Sequence, residues 1–394
     1  MSGRGTIEAT MDCDVAARRH WDVLVVGAGP AGAAAAIVLA QQGADVLLID
    51  KQRFPRPKVC GCCVNAAAMA ALARLGVPDC VGDLGAMAID EFQLCAGERA
   101  ARLPMRGGAA LSRAVLDAAL VRRAIDAGAQ FISGMQARSM DSHASEAVVH
   151  VQHECQTYVI ATSVVIAADG LAGRFGANDD GVVARGSLMG AGVVVDGAPS
   201  WCEPGVIYMA CGHGGYAGVA RLERGRVAVS AALDPRQARE AGGPAAMVRR
   251  LFEEAGLPAP CELEAQRWKG TPLLTRRRRD VASMRCLVAG DATGYVEPFT
   301  GEGIAWALES GVAAARIAHE GAREWKVALA DEWQRVQRRM LGWRRLRCYW
   351  LTRALRSPTV AHTAIALLAH VPTLASPIVR GVSSGWSHEP AWGR

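Results

Sequence analysis

Short apolar runs recur along this chain, separated by glycines and by small-residue stretches. Val23 to Val26 is the first, apolar and mostly β-branched, and it reads as a buried strand. Gly27, Gly29 and Gly32 follow, and a small-residue segment from Ala33 to Gln42 predicts a helix that Gly43 ends. Val46 to Ile49 is a second buried strand, closing on Asp50. Pro55 and Pro57 forbid a helix in the loop beyond it. Ala66 to Leu75 predicts a helix stopped by Gly76, with Pro78 just past it. Leu111, Val115, Leu116, Ala119, Leu120 and Ala124 then recur at helical spacing, with Arg113 near the start and Gly128 at the end. Gln130 to Ser133 begins a strand. Ala147 to His153 and Thr157 to Ala161 predict a hairpin. Ser163 to Ala168 is another buried strand, ending in Asp169-Gly170.

From Gly190 to Leu233 the pattern changes to apolar–polar alternation between glycines. Val193–Val195, Gly205–Met209, Gly218–Leu222 and Arg226–Ala231 predict antiparallel strands, a separate sheet inserted in the first fold. Met247 to Ala255 is a short helix. Arg285 to Ala289 returns to a buried strand, followed by a glycine-rich turn and a helix from Ile304 to Glu320. The expected fold is α/β: a Rossmann-like domain with an inserted antiparallel sheet and a helical C-terminal tail. The expected division is a loose leader (1–20), the first domain (21–185), the inserted sheet as substrate platform (186–275), the return to the first domain (276–325) and a helical region (326–394).

Composition narrows the class. The 394 residues suffice for two lobes, and 51% are hydrophobic, which argues against disorder. The net charge is +6, much of it Arg near the C-terminus rather than a general basic field. Residues 1–20 carry no apolar segment of the secretory kind, so the 12 Cys are expected reduced and cytoplasmic, with no zinc spacing and no metal. No apolar run reaches the length of a membrane span. RRRR (276–279) reads as an exposed loop, with no nucleic-acid role. Residues 335–357 hold eight Arg among Leu and aromatic residues. They read either as a helix with a solvated basic face or as a membrane-surface helix, followed by an apolar stretch, Thr359 to Val371, too short to span.

The first strand–turn–helix–strand unit carries chemistry. Its glycines stand at G-x-G-x-x-G spacing, and an acid closes the second strand, the fingerprint of dinucleotide binding. Gly27 permits the tight turn, Gly29 lets the backbone approach a pyrophosphate, and Gly32 lets helix and strand pack closely. The helix N-terminus offers free N–H groups to phosphates, and Asp50 can accept ribose hydroxyls.

GAGPAG (27–32) with Asp50, AADG (167–170) and AGDATGYVEPFTGEGIAWALESG (289–311) together resemble a large FAD-dependent family. That family includes aromatic hydroxylases such as para-hydroxybenzoate hydroxylase, geranylgeranyl reductases and flavin halogenases. The resemblance runs from about Trp21 to about His319. It implies that Gly27, Gly29, Pro30, Ala31 and Gly32 form the pyrophosphate turn of an FAD site, with Asp50 and Lys51 at the ribose. The family usually has Glu where Asp50 stands. It implies that Arg113 reaches the FAD phosphates and that Asp169 and Gly170 contact FAD and NAD(P)H. Gly290 and Asp291 would hold the ribityl chain, and Pro298, Gly301 and Gly303 would pass the flavin. No second strand–GxGxxG–helix unit follows, so NAD(P)H as reductant would dock transiently, or another donor would serve.

Within that family, RPKVCG (56–61) and PFTGEGI resemble the geranylgeranyl reductase branch, in which Cys60 would face the flavin and tune it or donate a proton. The alternative is a buried thiol. Cys60, Cys62 and Cys63 are expected as three reduced thiols. At 214–225 Tyr216 matches the reductase branch, but its Trp and Phe-Pro are missing, and so is the halogenases' Trp-x-Trp-x-Ile-Pro. That departure favours NAD(P)H-driven hydroxylation, with O2, of a small hydrophobic aromatic, polyketide or prenylated substrate. The rivals are reduction of isoprenoid C=C bonds and electron transfer to a quinone or partner protein. Cys60 and Tyr216 are the catalytic candidates. His213 reads as a loop residue or a pocket one, Trp306 as a packing residue of its helix or a pocket one, and peripheral membrane contact is an expected property of a lipid-handling enzyme.

Overall fold

A computed structural model describes residues 5–97, 99–176, 181–297, 299 and 301–371. Its first sheet has a parallel core in the order 286–288, 156–167, 20–26, 46–50, 130–133. Strands His20–Val26 and Val46–Asp50 are the two expected around the glycine turn, and every residue of the second is buried. The expected hairpin and the strand after it are one continuous run, since Gln156–Ala167 pairs with Ala147–His153 at its start and with the parallel core at its end.

Helix Pro30–Gln41 has its first ten residues buried. Small side chains allow this, because neighbours can approach the backbone. A Cβ on Gly32 would overlap the Gly27 carbonyl oxygen, and one on Gly311, in helix Gly303–Arg323, would overlap the Ala31 carbonyl. Helix, turn and sheet thus close on one another with no side chain between.

The second sheet runs in the order 269–273, 189–195, 227–233, 215–221, 206–212, 87–96, 99–110, 63–64. The four expected antiparallel strands are present at Met189–Val195, Val206–Gly212, Gly215–Arg221 and Val227–Leu233. Four further strands, 269–273, 63–64, Met87–Ala96 and Arg99–Ala110, complete it, and Met87–Ala96 lies parallel to 206–212. The second sheet is therefore not confined to 186–275; it also draws on residues placed by sequence in the first domain. The alternation that would have marked Met87–Ala96 and Arg99–Ala110 is broken by a register shift between Ile89 and Glu91, which changes which residues face inward.

The leader differs from expectation too. Ile7 N–H donates to the Phe54 carbonyl at 2.9 Å and Thr10 N–H to the Phe131 carbonyl at 2.9 Å, and Trp21 Nε1 donates to the Ala16 carbonyl. Residues 5–19 are pinned to the first sheet rather than loose. RRRR is not simply an exposed loop either. Arg276–Arg277 is a strand between 182–183 and 294–295, Arg276 Nη1 donates to the Leu171 carbonyl, and Arg278 Nη1 to that of Ala292.

The chain ends, within the described residues, in helices Val327–Leu355 and Pro358–His370. Fully buried Trp333 donates its indole N–H to the Val288 carbonyl at 2.9 Å, docking the long helix on the edge of the first sheet. No helix among the described residues is long and apolar enough to cross a membrane.

Candidate FAD and substrate site

One cavity of about 680 Å3 lies between the two sheets. At one end is the glycine turn. Gly27 has φ +101°, a conformation that L side chains rarely adopt, and a Cβ there would overlap the Ala168 carbonyl. Gly29 meets no such clash. Its absent Cβ points into open space, with Arg56 Nη2 at 3.8 Å and Arg113 Nη2 at 3.9 Å. Two guanidinium groups therefore face the helix N-terminus across a gap that only glycine leaves open, the arrangement a pyrophosphate needs.

These guanidinium groups are held by acids. Arg113 is the first residue of helix Arg113–Asp126 and forks onto Asp117, one turn on, with Nε–Oδ1 2.8 Å and Nη2–Oδ2 3.0 Å. Burial works against the charge of Arg113, but Asp117 and Cys60 together outweigh it and hold the group firmly protonated. Arg56 Nη1 lies 3.4 Å from the same Asp117, and its Nη2 lies 3.5 Å from Asp50. Asp50 Oδ2 accepts the Ala28 N–H at 2.9 Å and Oδ1 the Gln52 N–H at 2.8 Å, so the shorter acid ties the strand end to the turn. Lys51 beside it is exposed and lines the mouth of the cavity. Lys58 Nζ sits 3.0 Å from where a Cβ of Gly170 would be. Burial, then the neighbouring Arg113, pushes its pKa down. Asp169 Oδ2 accepts the Phe175 N–H at 3.1 Å, its Oδ1 is buried without a hydrogen-bond partner among the described residues, and burial raises its pKa.

The middle of the cavity holds Cys60. A hydrogen bond from the Cys62 thiol, with Arg113 adding to it against the cost of burial, pulls the Cys60 pKa down to about 6. The same bond pushes Cys62 well up, and burial pushes Cys63 to about 12. The Cys60 carbonyl accepts Ser230 Oγ at 2.7 Å, anchoring this loop to the second sheet. Asp291 and Tyr295 also line this part, and burial, then Asp291, pushes the Tyr295 phenol well above its ordinary value.

The far end is apolar. Tyr216 and Phe299 meet edge to face with centroids 4.9 Å apart, and Phe92 meets Phe299 at 5.9 Å. Burial, then Glu297, pushes the Tyr216 phenol well up. Leu351, Ala364 and Leu368 of the two last helices close the wall.

The long helix also braces the return loop. Arg345 Nη2 donates to Thr293 Oγ1 and to the Gly294 carbonyl, both at 2.7 Å, and burial lowers its pKa to about 10. Arg347 pairs with fully buried Glu302 at 3.1 Å, and Arg356 pairs with buried Glu297. Helix Arg113–Asp126 is braced from the second sheet. Its N-cap Ser112 donates N–H to Glu223 Oε2 at 3.0 Å and Oγ–H to Glu223 Oε1 at 2.6 Å.

Of the residues singled out by sequence, Gly27, Gly29, Pro30, Ala31, Asp50, Lys51, Cys60, Arg113, Asp169, Gly170, Tyr216, Asp291, Gly301 and Gly303 all line this one cavity. Gly32 and Gly290 stand behind it as packing glycines; a Cβ on Gly290 would come within 2.7 Å of the Ala31 Cβ. Pro298 lies outside the described residues. His213 and Trp306 do not belong to the cavity lining. His213 is exposed at the tip of the 206–221 hairpin, its N–H donating to Glu254 Oε2 at 3.2 Å. Trp306 is buried in its helix, with Arg344 6.0 Å over its ring. Asp117, Lys58, Tyr295 and Glu223 were not singled out. Only Asp117 had a local signal, its i, i+4 spacing from Arg113.

The fit to FAD is direct. The glycine turn leaves room for a pyrophosphate, two arginines face that room, and Asp50 stands at the ribose end. An FAD binding domain profile matches residues 20–334. The menaquinone reductase of Mycobacterium tuberculosis (strain H37Rv) is 30% identical over 357 residues, covering 80% of this chain and 81% of that one. Digeranylgeranylglycerophospholipid reductase 2 of Methanopyrus kandleri is 28% identical over 337 residues, covering 77% and 78%. In fold, the chain resembles a geranylgeranyl bacteriochlorophyll reductase-like protein from Thermoplasma acidophilum, with a TM-score of 0.76 at 18% identity over 92% of this chain and 96% of that one. The chain belongs to the FAD binding domain family and is an FAD-dependent oxidoreductase.

Proposed function

We propose that this enzyme reduces a C=C bond in the isoprenoid chain of a lipid, drawing its electrons from NAD(P)H. The observation that carries this is the make-up of the cavity, which passes from the phosphate cradle, through one ionisable thiol, to a chamber walled by Phe92, Phe299, Leu351 and Leu368. An isoprenoid chain has no polar group for such a chamber to recognise and needs only apolar contact. The two relatives are named for a menaquinone and a digeranylgeranylglycerophospholipid, both isoprenoid lipids.

Bound FAD would supply the hydride; the second hydrogen added across the double bond is a proton, and the protein must provide it. Tyr216 and Tyr295 face the cavity but hold their phenolic protons tightly at neutral pH. Cys60, with a pKa of about 6, is the cavity group that can release and regain a proton near physiological pH. Cys60 Sγ is therefore the favoured proton carrier, with Arg113 and Cys62 positioning it and setting its pKa. Tyr216, held edge to face against Phe299, orients the chain. The closed apolar wall excludes water.

Hydroxylation of a prenylated or polyketide aromatic with O2 remains the second reading. It is favoured by the 214–225 segment, which lacks the Trp and Phe-Pro of the reductase branch. One experiment separates the two. The purified yellow protein is incubated with NADPH or NADH and a menaquinone or a digeranylgeranyl lipid, with and without oxygen. The reductase gives a product with one isoprenoid C=C bond saturated, the two added hydrogens lying on the chain and not on a quinone ring, in both atmospheres. Oxygen-dependent product carrying one added oxygen would replace it with the hydroxylase.

A further inference from the structure

The arginines of residues 335–357 divide into two sets. Arg344, Arg345, Arg347 and Arg356 turn inward and engage Glu309, Thr293 with Gly294, Glu302 and Glu297. Arg335, Arg338, Arg339 and Arg353 are exposed and have no ion pair among the described residues. At 3.6 residues per turn these four share an arc of about 140° with Trp343, Leu346 and Trp350. Trp343 is 74% exposed and Trp350 61%, unusual for so large an apolar side chain. Asp331 and Glu332 fall on the same arc, but at the start of the helix, about three turns before Trp343. The next helix continues the apolar surface with Val360, Leu367 and Val371, all exposed. Leu351, on the far side of the long helix, and Ala364 and Leu368, beside the exposed stripe of the next one, wall the substrate chamber.

We propose that this face docks on the surface of an anionic lipid bilayer and so sets the chamber one helix away from the lipid phase. The inference rests on the lipid-substrate reading for its purpose but not for its geometry. Four unpaired cations call for an anionic partner. Two exposed tryptophans and a leucine among them call for one with an apolar layer beneath the charge, since Trp prefers the boundary between headgroup and acyl chain. A nucleic acid would use the arginines and leave Leu346, Val360 and Leu367 in water. The helix would lie in the interface, as its charge does not allow it to span.

The test is flotation of the full-length, FAD-loaded protein with vesicles of phosphatidylcholine alone or mixed with phosphatidylglycerol. Binding to the mixed vesicles is expected to be at least tenfold tighter than to neutral ones and to weaken with salt. The pair Arg338→Glu/Arg339→Glu is expected to lose binding tenfold or more, and Trp343→Ser/Trp350→Ser to lose it even at low salt. Both variants keep their FAD content and their turnover of detergent-dispersed substrate. Tryptophan fluorescence quenched by brominated acyl chains in the parent protein would support insertion. Equal binding to neutral and anionic vesicles, no binding, or binding unchanged in the arginine pair overturns the proposal. So does duplex DNA binding as tightly as vesicles with no effect of the tryptophan pair. Vesicle binding by an enzyme inactive on every isoprenoid lipid would instead overturn the substrate reading alone.

Discussion

At the scale of single residues, two glycines three positions apart carry different demands. Gly32 is needed by the fold: any Cβ there collides with the Gly27 carbonyl. Gly29 is needed by the ligand, since its Cβ would meet nothing nearer than the arginine tips. Gly29→Val is therefore expected to fold, with a melting temperature near that of the FAD-free parent, and to purify colourless. Gly32→Ala is expected to lose several kcal/mol of stability, as overpacking against rigid backbone does. A yellow Gly29→Val, or an undisturbed Gly32→Ala, would contradict this division. Cys60 makes a second residue-scale prediction. Its pKa of about 6 is set first by the Cys62 hydrogen bond and then by Arg113. Alkylation of the FAD-free protein by iodoacetamide should titrate with a midpoint near 6, a phase that Cys60→Ser removes and Cys62→Ala moves toward the ordinary thiol range. The sign for stability follows. Folding lowers this pKa, so the thiolate's contribution is present above pH 9, the ordinary thiol value, and is lost as pH falls toward 6. Cys60→Ser should flatten the stability of the FAD-free protein across that window. A rate rising only above pH 8 would refute the assignment.

At the scale of elements, the site depends on helices being held from the other lobe. Glu223, on a turn of the second sheet, accepts both the N–H and the hydroxyl of Ser112, which caps the helix that begins with Arg113. Glu223→Ala leaves two buried donors unpaired and should cost about 2–3 kcal/mol in urea unfolding, with weaker FAD binding as Arg113 loosens. Wild-type stability in that variant would show the cap to be incidental. This contact spans 111 residues of sequence, so nothing local announces it. The parallel core was legible because buried parallel strands are continuous apolar runs and because glycines mark the turns between them. The site was legible where it rests on the backbone, at Gly27, Gly29 and Gly301, and at Asp50 and Asp291, which end strands or open turns. Strands 87–96 and 99–110 were not, because the register shift at Ile89–Glu91 breaks their alternation. Lys58 and Tyr295 were not, because their burial depends on tertiary packing around a cavity. His213 is a loop residue, the alternative to its place in the pocket, and Glu254 holds its N–H at the hairpin tip.

At the scale of the molecule, two sheets of different kinds are joined over one cavity, and the long C-terminal helix ties the return loop to both. FAD bridging these parts should stabilise the whole. At a thousandfold excess over its dissociation constant it contributes about 4 kcal/mol. Stripping the flavin should lower the melting temperature by several degrees, and adding it back should restore the loss; equal melting of the two forms would mean that the cradle does not hold it. The same architecture sets the phosphate end and the apolar end in one continuous space, which makes direct reaction between flavin and lipid chain the central claim. The most direct test is a single turnover without oxygen. The enzyme-bound flavin is reduced, freed of excess reductant, and mixed with a menaquinone or digeranylgeranyl lipid. The yellow colour should return, with one saturated product, two hydrogens heavier, formed per flavin. If the flavin stays reduced until oxygen is admitted, or reoxidises with the isoprenoid chain intact, the lipid C=C bond is not the acceptor.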